Sequence, residues 1–217
     1  SLVGDRQYEH RYGITGIDGC AFGKLPGSQD DRQYLLVCSG CADDVERPDN
    51  NYQMIAAYDT TGWWDTYAMP LDQFAMHQSG PAIPEHRFFL YTGNTRWGIQ
   101  NFVFHPETGD YYATVYRGAK PQFPNYDMFV IDGAVPPMEV PHECLPETIL
   151  QLSLKNVGQE KNGISGYYFP YGAMGMEPLG GDLFYIAEGG KNEQGNFATI
   201  RLYRKTTDVS APFVAAE

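Results

Sequence analysis

The segment "SGCADDVERPDNN" (39–51) packs Asp43, Asp44, Glu46 and Asp49 into one short polar stretch. Closely spaced carboxylates on a loop are hard oxygen ligands suited to Ca²⁺. These four are therefore the candidate metal ligands, and calcium the candidate cofactor. The spacing is not that of an EF-hand, and a solvated acidic loop accounts for the same residues. Cys38 and Cys41 form a C-x-x-C, and "HEC" (142–144) adds His142 and Cys144, which with Cys20 would complete a zinc-type donor set. Cys38 falls within a strand pattern, however, and a single C-x-x-C is also what small buried residues or a disulfide would give. The five histidines show no H-E-x-x-H pairing, and no G-x-S-x-G nucleophile elbow occurs. His105, which precedes Pro106 at a turn, reads as structural.

A second set of residues has the chemistry of ligand recognition. Arg96, Arg117 and Lys120 are cations on loops or strand ends, and guanidinium forks match carboxylate and phosphate oxygens. Ion pairing with the chain's many acids competes with that role. Tyr12, Trp97 and Tyr171 each stand directly before a glycine. They would either stack on a ligand or plug the gap between neighbouring sheets, the glycine allowing a close backbone approach. Gln100 and Glu188 complete the candidate set.

These side chains recur at corresponding places in an internal repeat. "RYGITGIDG" (11–19), "RWGIQNFVF" (96–104) and "PYGAMGMEP" (170–178) each open a unit with aromatic-Gly. A second strand pattern follows: "RQYLLVCSG" (32–40), "GDYYATVYRG" (109–118) and "GDLFYIAEGG" (181–190). A polar loop then leads to a third: "NYQMIAAYD" (51–59), "NYDMFVIDG" (125–133) and "NFATIRLYR" (196–204). Period-two alternation marks these as strands A, B and C. A weaker strand D is expected in "WDTYAMPL" (64–71) and "TILQLSLK" (148–155). The fold class is thus all-β: a β-propeller, or a propeller fragment, of repeated antiparallel four-stranded blades. The whole chain, 1–217, reads as one domain with repeats at about 11–71, 96–155 and 170–204. A β-sandwich is the alternative architecture, although it requires no repeat. Strand alternation places the start of A, the end of B and the start of C on one rim, where the long B–C loops lie. Three units fall short of the four or more blades of a propeller. A second chain or subunit covering the open blade edges is therefore expected as a partner.

Composition agrees. Aromatics make up 14% of the 217 residues, with 24 Gly and 15 Pro, a profile of short strands and tight turns. A net charge of −12 argues against nucleic acid or anionic membrane as partners. No apolar run is long enough to span a bilayer as a helix. A chain beginning at Ser1 suits a processed product, and secretion with a signal peptide removed is one such history.

"NNYQMIAAYDTTG" (50–62) and "GMEPLGGDLFYIAEGG" (175–190) resemble strands of the six-bladed β-propeller phytases. The resemblance implies a six-bladed fold with calcium ions holding an anionic phosphoester on one face. Glu188, at the end of an "AE" strand, matches that pattern. Thr15, Gln100 and Met174 stand where the family's inner strands carry an acidic ligand. Loss of those carboxylates removes the charge that would activate a metal-bound water. The leading functional expectation is a domain that binds a small polar, anionic or carbohydrate-like ligand on the aromatic-Gly rim. A metal-dependent hydrolase of phosphoesters or glycosides and a protein-interaction scaffold are the alternatives.

Overall fold

Alternation along the second strand of the first unit sets the architecture. In Tyr34–Cys41 (β2), Tyr34, Leu36 and Cys38 are fully buried while Leu35 and Val37 are half-buried, so the strand has two distinct faces. In the computed structural model, which describes residues 11–69 and 80–216, β2 lies between Ile14–Gly23 (β1) and Tyr52–Asp59 (β3), antiparallel to both. The second unit repeats the order as Thr95–Phe104 (β5), Tyr111–Arg117 (β6) and Met128–Ile131 (β7). The third repeats it as Met176–Gly180 (β12), Leu183–Asn192 (β13) and Gly195–Lys205 (β14), with Phe213–Ala215 (β15) added at the edge. The protein is nearly all-β, built of several antiparallel sheets, and the A–B–C order holds in all three units.

The fourth strand departs from expectation. In the segment 64–71, residues 64–66 belong to a single helical turn, Trp63–Thr66 (α1), and the stretch beyond Met69 lies outside the described residues. Gly62 adopts a left-handed φ of 70°, and Trp63 N donates to Thr60 O, so the chain turns here rather than extends. His86–Tyr91 (β4) takes the place beside β3 instead, with Phe88 and Leu90 buried on its inner side. The segment 148–155 does extend, but it serves two sheets. Thr148–Leu152 (β9) runs parallel to β4 and carries Met138–Pro141 (β8) on its other side, giving a six-stranded first sheet. Residues 153–155 then pair with β7 of the second sheet through Asp132 N to Ser153 O and Lys155 N to Val130 O. Lys155 Nζ clamps the crossing by donating 2.7 and 2.9 Å bonds to the Asp110 carboxylate, which is almost fully buried.

The sheets stack face to face. Tyr34, Leu36, Cys38 and Ile55 of the first meet Ile99, Phe102, Tyr111 and Val115 of the second in the largest apolar cluster. The opposite face of the second sheet, Val103, Tyr112, Met128 and Val130, meets Phe184, Ile186, Tyr203 and Phe213 of the third. The middle sheet is therefore covered on both faces by its neighbours. Burying these aromatic and branched side chains contributes about 1.5–3 kcal/mol each, and this drives the stacking. A hairpin of Gln159–Lys161 (β10) and Ile164–Gly166 (β11) adds Ile164 to the first cluster.

Candidate functional site

The aromatic-Gly pairs mark the approach of one unit to the previous one. Trp97 and Gly98 both have positive φ, 65° and 87°. A Cβ on Gly98 would come within 2.9 Å of Ser39 O, Gly40 Cα and Cys41 N on β2, so only glycine lets β5 cross the first sheet this closely. Gly172 stands likewise against Thr114 of β6. Trp97 is half-buried, less enclosed than a residue plugging a gap would be. Around it, Gln100 Nε2 donates to Asp18 Oδ2 and Trp97 O at 3.2 Å, and exposed Arg96 lies 3.6 Å from Asp43. Arg96, Trp97 and Gln100 thus form one cluster where the first two sheets meet.

Lys120 is not a surface cation. It is 1% exposed, and its three N–H groups donate to Arg47 O at 2.5 Å and to the Oδ1 atoms of Asn50 and Asn51 at 2.7 Å. Burial pulls its pKa below the usual lysine range, while nearby acidic side chains oppose the shift. The residue ties the B–C loop of the second unit to that of the first and leaves no donor for a ligand. The acidic loop it grips is also engaged internally. Asp49 is forked by Arg47 Nε and Nη2 at 2.7 and 2.8 Å, and Asp44 Oδ1 accepts Glu46 N at 2.9 Å. Glu46 itself is exposed. Among the described residues, no group of three or more His, Cys, Asp or Glu converges as a metal-binding set. The four cysteines are free thiols: Cys38 and Cys41 are buried, Cys20 and Cys144 exposed. Burial pushes the Cys41 thiol up to about 12 and raises that of Cys38 well above the usual thiol range. His105 is 2% exposed, with Nε2 3.0 Å from Gly181 O, the structural role its turn position suggested.

Arg117 and Tyr171 come together. They line a cleft of about 260 Å³ where the end of β6 and the start of β7 meet the segment 169–174 and β13. Arg117 is not a lone cation: its Nε and Nη2 donate to Asp127 at 3.1 and 2.6 Å, and its guanidinium lies 4.9 Å over the Tyr168 ring. Asp127 Oδ2 also accepts Phe169 N at 3.1 Å, so the carboxylate is oriented from both sides. Tyr116 is 46% exposed beside them, and Phe169 sits 5.7 Å edge-on to Tyr171. Asp127, Tyr116 and Phe169 escaped the sequence reading. The polar residue opening strand C in "NYDMFV" was the available sign. Glu188 is held by Tyr203 Oη at 2.5 Å and Arg201 Nε at 3.2 Å, while its neighbours Ala187 and Gly189 line the cleft.

Tyr12 lies apart, on the outer face of the first sheet. Its φ is 60°, its ring meets Phe89 edge-on at 4.9 Å, and its hydroxyl donates to Glu147, which also accepts from Arg11. Burial, and then that carboxylate, push its pKa up to about 12. These residues border a second cavity of about 490 Å³, floored by Ile14, Met54, Phe89 and Ile149. The rim set predicted from sequence is therefore divided among the sheet junction, the interior, a cleft and an outer face. No protein-family model, curated protein or solved structure matches this chain.

Proposed function

We propose that this chain is a ligand-binding protein of propeller-type blades that takes a small polyhydroxyl or carbohydrate-like molecule in the cleft of Tyr116, Arg117, Asp127 and Tyr171. The observation that carries this reading is the oriented Arg117–Asp127 pair standing among aromatic rings at an open cleft. Ring faces pack against the C–H face of a sugar, and a few fixed polar groups set its orientation. Asp127 engages Nε and Nη2 of the guanidinium, so Nη1 holds the donors available to a ligand oxygen. Oδ1 of Asp127 accepts one bond, from Nε, and keeps a lone pair for a hydroxyl hydrogen, whereas Oδ2 already accepts two. The cleft's modest volume favours a single ring over a long chain. The repeated A–B–C sheets, stacked in series with an aromatic-Gly pair at each junction, support the blade reading.

Titration calorimetry against a panel of monosaccharides, disaccharides and sugar phosphates tests the proposal. One class is expected to bind, and Tyr171→Ala to weaken it by about two- to tenfold, the usual worth of a stacked ring. Absence of binding across the panel, or an affinity indifferent to Tyr171→Ala, overturns it.

A further inference from the structure

The middle sheet has both faces covered; each outer sheet has one. On the first sheet, register places Cys20 opposite Val37 and Phe22 opposite Leu35, on the side away from the second sheet. Phe22 is 62% exposed and Ile17 63%. On the third sheet, Tyr185 stands opposite Leu202, again on the side away from the apolar cluster, and Val214 lies on the same side opposite Arg204. Tyr185 is 47% exposed and Val214 42%. Both ends of the stack therefore present apolar sheet faces to solvent, among the described residues, a pattern that marks interaction surfaces.

The two faces are not alike, and the way they differ identifies an occupant. Inside the chain, the forward face of one sheet always packs on the rear face of the next. At each junction the aromatic-Gly pair of the later unit crosses strand B of the earlier one, Gly98 on β2 and Gly172 at β6. The first unit carries the same device, with Tyr12 and Gly13 at φ 60° and 62°, but Gly13 stands against Asn50 and Arg47 of its own loop rather than against strand B of another sheet. Strand B of the third unit, β13, receives no such pair from the described residues, and its end from Gly189 to Asn192 is exposed. The cavity beside Tyr12 opens on the outer face of the first sheet. What the rear of the first sheet lacks is what the front of the third sheet offers.

We infer that a second copy of this chain packs head to tail on the first. The uncovered face around Tyr185 and Leu202 of each copy then covers the face around Phe22 and Leu35 of the other. The interface continues the sheet-on-sheet packing seen twice within the chain and rests on the blade reading above. Two such contacts, related by a two-fold axis, close the stack with no apolar face left over.

Sedimentation velocity on the wild-type chain, from dilute to concentrated solution, is expected to show a species of twice the chain mass. Phe22→Lys and Tyr185→Lys, each on a side chain exposed in the single copy, are each expected to give a folded monomer that melts where the wild type melts once diluted to its own monomer. Mixing the two variants restores one intact contact and is expected to recover a dimer. A wild-type monomer at all concentrations overturns the inference. So does a dimer broken by only one of the variants, which marks a like-to-like contact, or a mass that grows without limit, which marks an open filament. The cleft lies within one copy, so a monomer that still binds a saccharide through Tyr171 sinks the second copy alone. A dimer that binds none sinks the ligand reading alone.

Discussion

Lys120→Met is the most telling perturbation, because it separates a structural clamp from a surface cation. Methionine keeps an unbranched stem of similar reach and removes the ammonium. Three buried oxygens, those of Arg47, Asn50 and Asn51, then lose their donor. Each unsatisfied buried acceptor costs about 1–3 kcal/mol. Against this, the native state no longer carries a desolvated charge, a cost of several kcal/mol in real proteins. The partners are neutral carbonyls, not a carboxylate left bare, so the net loss falls at about 2–4 kcal/mol. For a chain of this length, about 2–4 °C per kcal/mol applies, and the melting temperature should drop by roughly 4–16 °C. Urea unfolding should show a lower midpoint at an unchanged slope. Lys120→Arg should also destabilise, since a larger planar head has no room at a 1% exposed position. Saccharide affinity at the Tyr171 cleft should persist in whatever fraction stays folded. A melting temperature within about 2 °C of wild type, or loss of ligand binding without loss of stability, would refute the argument.

Four further outcomes follow from named contacts. Gly98→Ala should cost about 3 kcal/mol or more by calorimetry, because left-handed strain of about 1–2 kcal/mol adds to contacts near 2.9 Å with the first sheet's backbone. Lys155→Met leaves the nearly buried Asp110 carboxylate without its cation and should destabilise by about 3 kcal/mol; a change under about 1 kcal/mol, the worth of a surface pair, would contradict the clamp. Burial and then a carboxylate neighbour (Glu147, Glu143 or Glu188) raise Tyr12, Tyr91 and Tyr203 to about 12 in the folded state. Folded pKa values above unfolded ones mean this stabilisation is complete below about pH 10 and lost as pH rises from about 10 to about 12, which phenolate absorbance with parallel melts should show. Of the four thiols, Cys20 and Cys144 should react with an aromatic disulfide reagent in the native state, and Cys38 and Cys41 only on unfolding.

Strand content and the A–B–C repeat were legible because each is a local pattern. Period-two alternation in "RQYLLVCSG" and "GDYYATVYRG" says which side chains share a face, whatever lies opposite. The structural role of His105 followed in the same way, from its place in a tight turn. Partner choice is not local. Lys120 reads as one more surface cation until folding brings it to Arg47 O, 73 positions earlier in the chain. Arg117 reads as either a ligand anchor or one half of an ion pair, and only folding returns Asp127 of strand C beside it. The segment 148–155 has the alternation of an edge strand, but nothing in it says that its first half will extend one sheet and its second half the next. The short apolar strand "HRFFLY" takes the place beside β3, where it brings Phe88 and Leu90 into the core. Local sequence sets the faces that must be buried; which faces meet, and which charges are buried with them, depends on contacts that exist only once distant strands share a sheet.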